Sequence, residues 1–126
     1  MPVPTADLEA PGALTCTIQA PADQVFLHWI DPRLIRRWVA PPPYQVREAE
    51  VDARVGGWYR IVMVGPAGEV HVIRGRYREI VPGRRLVKTW TYEGLRTLPG
   101  DSASVLTVEL HEPSPGVTQL TVRRSP

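Results

Sequence analysis

The sequence predicts one α+β domain, in which a curved antiparallel sheet of seven strands packs against two short helices that follow the first strand. The chain has 126 residues, which is enough for one domain with one core. One region repeats its apolar residues with the period of a helix, and the others alternate apolar and polar residues between short Gly- and Pro-rich turns. Residues 1–12 are rich in Pro, Ala and Gly and are predicted to be a flexible tail, so the domain spans 13–126.

The first strand and the first helix follow directly on this tail. Leu14, Cys16 and Ile18 alternate with polar residues, which predicts a half-buried strand. A helix is expected to begin at Pro21, because proline is favoured in the first helical turn. Its buried face would carry the apolar residues that are spaced by three and four positions: Ala22, Val25, Phe26, Trp29 and Ile30.

The second helix is predicted to be short. Asp31-Pro32 ends the first helix and opens the second, and Pro41-Pro42-Pro43 prevents any continuation. Between these prolines the apolar stripe consists of Leu34, Ile35, Trp38 and Val39.

Six further strands are predicted from the alternating pattern: 44–52, 58–64, 69–81, 85–93, 104–111 and 117–123. The turns between them are short, apart from a loop at 94–102. Consecutive strands joined by short turns pair antiparallel, so these strands form one antiparallel sheet with the first.

Alternation also assigns the two faces of this sheet. Arg74, Arg76 and Arg78 share one face of the fourth strand, and we expect that face in water. The opposite face, termed the inner face, would pack against the helices and would include Tyr59, Ile61, Met63, His71, Ile73, Gly75, Tyr77, Leu106, Val108, Leu110, Leu120 and Val122. Thr107, Glu109, Thr118 and Thr121 are expected to face water.

The turn at Pro82-Gly83 sets the register of a hairpin. The expected cross-strand pairs are Ile80–Arg85, Tyr77–Lys88 and Gly75–Trp90. The last pair would place an aromatic ring over a glycine, an arrangement that stabilises sheets. The same register puts the only lysine of the chain on the inner face, together with Leu86, Trp90 and Tyr92.

Several short motifs occur in an order that is specific for a fold. They are APADQVF at 20–26, WIDP at 29–32, RW at 37–38, VDARVGG at 51–57, RGRYREIVP at 74–82, RLVKTW at 85–90 and LTV at 120–122. Over residues 13–123 the chain resembles the START-like (SRPBCC, birch-pollen-allergen-like) superfamily. More narrowly, it is similar to the subfamily named after the activator of the heat-shock-protein-ninety ATPase. The resemblance implies a helix-grip fold, which hosts binding, transport and cyclase activities.

The resemblance also implies an element that we do not expect in this chain. Members of the family continue after the last strand into a long helix that closes the cavity, and this sequence ends at Pro126, where that helix would begin. The chain is then a natural short form, a truncated form or half of a dimer. An uncovered apolar face is typical of an interaction surface, so of these we expect a homodimer that forms through the inner face.

The first functional hypothesis is a binding module for a small hydrophobic molecule, aromatic or lipid-like, in a groove between sheet and helices. The candidate ligand-binding residues are Trp29, Trp38, Tyr59, Met63, His71, Ile73, Tyr77, Lys88, Trp90 and Tyr92. Lys88 would meet an anionic end of the ligand, or its pKa would be lowered enough for amine chemistry, unless it reaches the groove edge or pairs with Glu79. His71 lies either at the cavity mouth or in water, and the apolar residues either line the groove or pack as ordinary core.

Two further functions stay open. The subfamily name implies a protein-interaction or co-chaperone role in the stress response, and a cyclase or hydrolase would use the same groove to hold its substrate. The sequence has no Gly-x-Ser-x-Gly elbow and no pair of carboxylates on the inner face. We therefore do not expect a self-contained catalytic site.

Composition and motifs argue against several partners. The three histidines are scattered and no phosphate-binding loop occurs, so we expect neither a metal nor a cofactor. A net charge of +2 is too small to indicate nucleic acid, and Glu48 and Glu50 would balance the arginines of the outer face. No apolar stretch is long enough to span a membrane. The lone Cys16 indicates a reducing compartment, and we expect the cytoplasm.

Overall fold

Two short helices separate the first strand from six others. The structure is a computed structural model that describes residues 12–40, 42–93 and 104–125. The elements are β1 (Gly12–Ile18), α1 (Ala22–Ile30), α2 (Pro32–Ile35), β2 (Gln45–Val51), β3 (Trp58–Val64), β4 (Val70–Val81), β5 (Arg85–Glu93), β6 (Ser104–Ser114) and β7 (Val117–Ser125). The loop predicted at 94–102 lies outside the described residues, as does the predicted tail apart from Gly12.

The seven strands form one antiparallel sheet in the order β1-β7-β6-β5-β4-β3-β2. The predicted fold class is confirmed, because this curved sheet carries its two helices directly after the first strand. No helix follows β7 within the residues that the structure describes. In the same ranges, no helix is long and apolar enough to cross a membrane.

The helix α1 packs on the sheet with the face that its spacing predicts. Ala22, Val25, Phe26 and Trp29 are buried, and Ile30 packs against them. Its N-terminus has no side-chain cap from Pro21. Instead the Ala22 N–H donates to Oε1 of Glu112, in β6, at 2.6 Å. A carboxylate from the sheet thus satisfies one of the backbone donors that a helix start leaves open.

The core lies between the inner face and the helices, as predicted. The inward residues of β3, β4, β6 and β7 are buried, and Arg74, Arg76 and Arg78 are exposed on the opposite face. One assignment was wrong. Thr118 is fully buried, and its hydroxyl donates to the Ala20 carbonyl at 2.7 Å. It shares the inward parity of the buried leucine two residues later, and the hydrogen bond allows a polar group to remain there.

The β4–β5 hairpin differs from the predicted register at its turn. Ile80 pairs with Leu86 instead of Arg85. A β-bulge follows Tyr77 in β4 and shifts the pairing by one residue, so that Tyr77 still lies opposite Lys88. The predicted pair at the turn, Ile80–Arg85, is therefore wrong, and the predicted pair Tyr77–Lys88 is confirmed.

Gly75 leaves space for the backbone of the neighbouring strand. A Cβ at this position would overlap the carbonyl oxygen of Thr89 in β5. The Thr89 carbonyl accepts a hydrogen bond from the Tyr59 hydroxyl at 2.6 Å, and the Thr89 hydroxyl accepts one from the Arg76 N–H at 2.8 Å. The missing side chain thus gives space to a hydrogen-bonded threonine.

The outer face carries the mixed charges that the sequence predicts. Arg60 lies opposite Glu50 and forms ion pairs with Glu48 at 2.9 Å and Glu50 at 3.8 Å. Arg85 pairs in the same way with Glu79 and Glu109, each at 3.1 Å. These ion pairs give the outer face a ladder of mixed charges.

Candidate functional site

The predicted ligand-binding residues all belong to the region between the inner face and the helices. Seven of them are less than a tenth exposed: Trp29, Tyr59, Met63, His71, Ile73, Tyr77 and Lys88. The other three, Trp38, Trp90 and Tyr92, are half-buried and pack against the core. The structure thus brings the set together in one region, and their contact with a ligand stays a prediction.

Lys88 lies in the interior among aromatic rings. Its side chain extends from β5, and the residue is 6% exposed. Nζ lies 4.3 Å from the centre of the Tyr59 ring and 5.6 Å from the centre of the Trp29 ring. Tyr77 stands opposite Lys88 on β4, and its ring centre is 5.5 Å from that of Tyr59. These four residues, Trp29, Tyr59, Tyr77 and Lys88, are termed the Lys88 cluster.

The electrostatics of Lys88 follow from this burial. Among the described residues, no carboxylate lies within ion-pair distance of Nζ, and Glu79 pairs with Arg85 instead. Two aromatic faces are weaker partners for an ammonium group than water is, although each attracts a cation. Burial therefore lowers the pKa of Lys88 to about 8.

Two other polar groups in the Lys88 cluster lack partners. The Trp29 indole N–H and the Tyr77 hydroxyl are buried without a hydrogen-bond partner in the described part of the chain. Their neighbours are satisfied, since the Tyr59 hydroxyl donates to Thr89 and the Trp38 indole donates to the His28 carbonyl at 2.8 Å. Burial also raises the pKa of Tyr77, so its hydroxyl keeps its proton. The cluster therefore offers an ammonium, an indole N–H and a phenol to an acceptor.

A second polar group of residues surrounds His71 near the β3–β4 turn. Nδ1 of His71 is hydrogen-bonded to the Tyr92 hydroxyl, and Nε2 lies 3.8 Å from Oε1 of Glu69 without a hydrogen bond. The imidazole also meets the Tyr44 ring edge-on, with ring centres 5.2 Å apart. His71 is 8% exposed, so it is not the solvated edge histidine of the alternative prediction. The residues Tyr44, Glu69, His71 and Tyr92 are termed the His71 cluster.

A row of stacked side chains connects the His71 cluster with β7. Tyr92 stacks on His71 and on Trp90, with ring centres 5.8 and 6.3 Å apart. The guanidinium of Arg124 lies 4.4 Å above the Trp90 ring, and its Nε donates to the Ser104 hydroxyl at 3.1 Å. In addition to Lys88, the inner face therefore bears a second cation.

Sequence reasoning missed three residues of this region. Arg124 follows Leu120 and Val122 with the same parity, which would have placed it on the inner face, but the last strand was predicted to end one residue earlier. Tyr44 and Glu69 lie at strand ends, where alternation gives no direction. Within the described residues, no group of three potential ligands could hold a metal ion.

Comparison with known protein families finds one family whose model matches most of the chain. The family model described as Activator of Hsp90 ATPase homolog 1-like protein matches residues 19–126. No curated protein matches the chain.

Solved structures with the same fold come from several bacteria and from a parasite. A protein from Chromobacterium violaceum is 29% identical with a TM-score of 0.77, over 91% of this chain and 79% of that one. A protein from Rhizobium loti is 28% identical with a TM-score of 0.73, over 91% of this chain and 76% of that one. An HSP90 activator from Plasmodium falciparum is 22% identical with a TM-score of 0.68, over 90% of this chain and 71% of that one, and this likeness is one of fold alone.

Proposed function

Because this START-like chain belongs to the Activator of Hsp90 ATPase homolog 1-like family, we propose that it binds a small hydrophobic molecule between the inner face and the helices. The ligand carries a hydrogen-bond acceptor, preferably a carboxylate, at the end that meets the Lys88 cluster. The aromatic and aliphatic side chains around the cluster surround its apolar part.

One observation carries this proposal: the Lys88 cluster contains buried donors that have no acceptor among the described residues. A buried donor that makes no hydrogen bond costs about 1–3 kcal/mol, and folded proteins leave few of them. Here two such donors, Trp29 and Tyr77, accompany a lysine without an ion pair in the described residues. A carboxylate supplies acceptor oxygens for such donors and balances the charge of Lys88.

Binding of decanoate and decanol tests the proposal, because the two probes share a chain and differ in the charge of one end. We expect decanoate to raise the melting temperature and to change the tryptophan fluorescence, and decanol to do so more weakly. Lys88→Met should weaken decanoate binding about tenfold, the loss of about 1.4 kcal/mol that one charge-assisted hydrogen bond supplies. Decanol binding should change less.

The matched control is Arg60→Met, which removes a cation from the outer face and should leave both affinities unchanged. The proposal fails if neither probe alters the melting temperature, with decanoate kept below its critical micelle concentration and decanol below its solubility limit. It also fails if Lys88→Met, shown to be folded by circular dichroism, binds decanoate as tightly as the unchanged chain.

A co-chaperone role is the second candidate, and the description of the family favours it. A similar fold also occurs in a Plasmodium falciparum protein described as an HSP90 activator. If the chain acts in this way, it should raise the rate of ATP hydrolysis by a purified heat-shock-protein-ninety ATPase, and the increase should saturate with concentration. An unchanged hydrolysis rate, measured with a known activator as positive control, would rule this candidate out.

A further inference from the structure

Lys88 of β5 has a buried proton donor, the Tyr77 hydroxyl, on the residue paired with it in β4. A lysine that only binds an anion does not need such a donor. We propose that Lys88 forms a reversible imine with hydrophobic aldehydes, with Tyr77 as the proton donor. This inference rests on the proposed function, because the aldehyde occupies the same region as the acceptor-bearing ligand. It adds a covalent step that the binding proposal does not require.

The surroundings of Nζ favour the nucleophilic form of the amine. An amine attacks a carbonyl only when it is unprotonated, and carboxylates near it would hold the proton in place. In the described residues, Nζ faces the Tyr59 and Trp29 rings and has no carboxylate partner. With a pKa of about 8, about a tenth of Lys88 is neutral at pH 7, which is about 300 times the neutral fraction of a lysine with the ordinary value of 10.5.

Tyr77 supplies the second requirement of the reaction. Its hydroxyl is buried without a hydrogen-bond partner in the described chain, and the residue pairs directly with Lys88 across β4 and β5. Side chains that are paired in this way stand about 5 Å apart at Cβ. Nζ of Lys88 and the Tyr77 ring also both lie against the Tyr59 ring, at 4.3 and 5.5 Å from its centre, and we place the carbonyl group between them. Because burial raises the pKa of Tyr77, its proton is retained until a stronger base, the developing oxyanion, comes close.

The reaction proceeds in two balanced steps. The nitrogen lone pair of Lys88 forms a bond to the aldehyde carbon, while the carbonyl π electrons move to oxygen, which takes a proton from Tyr77. The Tyr77 phenolate takes the extra proton from the nitrogen, which gives a neutral carbinolamine and restores the phenol. Tyr77 then protonates the hydroxyl, which leaves as water while the nitrogen lone pair forms the C=N bond, and the iminium proton returns to the phenolate. The sum is aldehyde plus amine giving imine plus water, and added water reverses it.

The composition of the chain makes this inference unusually easy to test. Lys88 is the only lysine, so the N-terminal amine is the one other primary amine and serves as an internal reference. The folded chain is incubated with decanal and cyanoborohydride at pH 7, which reduces any imine to a stable secondary amine. Intact mass and peptide mapping then give the rate of decyl addition at each of the two amines.

We expect Lys88 in the folded chain to be alkylated at least ten times faster, relative to the N-terminal amine, than Lys88 in the same chain unfolded in guanidinium chloride. Tyr77→Phe should lower the Lys88 rate about a hundredfold or more, since general-acid catalysis typically contributes at least that much. The loss of one hydrogen bond to the carboxylate should weaken decanoate binding only about tenfold. Lys88→Arg should abolish the adduct at this position and leave the N-terminal adduct unchanged.

The inference is overturned if Lys88 is alkylated no faster in the folded chain than in the unfolded one. Decanoate binding separates this failure from failure of the proposed function. If decanoate binds and decanal gives no faster alkylation, the chain binds ligands and does not form the imine. If neither compound interacts, both proposals are wrong. The comparison of folded and unfolded chains needs no substitution, so it stands even if a variant does not fold.

Discussion

Replacing Lys88 with methionine should make the stability of the protein less dependent on pH. Burial lowers the pKa of Lys88 from 10.5 to about 8. One pKa unit corresponds to about 1.4 kcal/mol, so keeping Lys88 protonated costs the folded state about 3 kcal/mol at pH 7. This cost already includes the attraction between Nζ and the Tyr59 and Trp29 rings. Methionine has a similar length and carries no charge, so it removes this cost.

The sign follows from proton binding in the two states. Between pH 8 and pH 10.5 the unfolded chain holds the Lys88 proton and the folded chain loses it, so the free energy of unfolding rises with pH. Below pH 8 both states are protonated and the penalty is constant. From pH 7 to pH 9.5 the unchanged protein should gain about 2 kcal/mol relative to Lys88→Met, given these two pKa values.

Urea unfolding, followed by tryptophan fluorescence, measures this difference. Both proteins are unfolded at pH 7, 8, 9 and 9.5, and the two free energies are subtracted at each pH. Burial raises the pKa of Tyr59 and Tyr77, so these residues lower the free energy of unfolding only above the ordinary tyrosine pKa near 10. Both proteins contain them, so subtracting the two free energies removes their effect. A difference that stays constant over this range would show that Lys88 is not desolvated, and the electrostatic argument would be wrong.

Three further substitutions test other parts of the structure by urea unfolding. Gly75→Ala should destabilise the protein by about 3 kcal/mol or prevent folding, because the added Cβ overlaps the Thr89 carbonyl. Glu112→Ala should cost about 1 kcal/mol, because the first N–H of α1 loses its acceptor. Tyr92→Phe should cost about 1–2 kcal/mol, because Nδ1 of buried His71 loses its partner.

Each of these substitutions has a matched control in the same chain. Gly68 has a positive φ of 80° and open space around it, so Gly68→Ala should cost only about 1 kcal/mol. Glu50→Ala removes an exposed carboxylate whose ion pair is worth less than about 1 kcal/mol. Tyr44→Phe keeps the ring contact with His71. If a control costs as much as its partner, the contact named for that partner is not the cause.

Much of the fold could be predicted because polar and apolar residues alternate cleanly. The arginines of β4 identify the outer face, and the bounds of β3 and β5 agree with the prediction to the residue. The bulge after Tyr77 could not be predicted, because the two residues that follow, Arg78 and Glu79, are both polar and suit water in either register. After the bulge the inward residue is Ile80, three positions from Tyr77 instead of two, and Val81 is exposed.

The same alternation of polar and apolar residues predicts part of the candidate site. Parity alone places Lys88 and Tyr77 on the inner face, and the structure confirms it. Which donors are satisfied depends on distances across strands, such as the bond from Tyr59 to Thr89, and alternation contains no such distances. The bond between His71 and Tyr92 joins two strands in the same way. Alternation places side chains on a face, and only coordinates show which of them meet.

The pairing of β1 with β7 has a consequence for the order of folding. β1 stands at one edge of the sheet, and its neighbour there is the last strand, so Gly12 meets Arg124. Contacts between distant parts of a chain form slowly, because a long segment must first be ordered. During synthesis on the ribosome, the N-terminal strand must wait for the C-terminal one to emerge. Hydrogen exchange during refolding should therefore protect the β3–β4–β5 amides before those of β1.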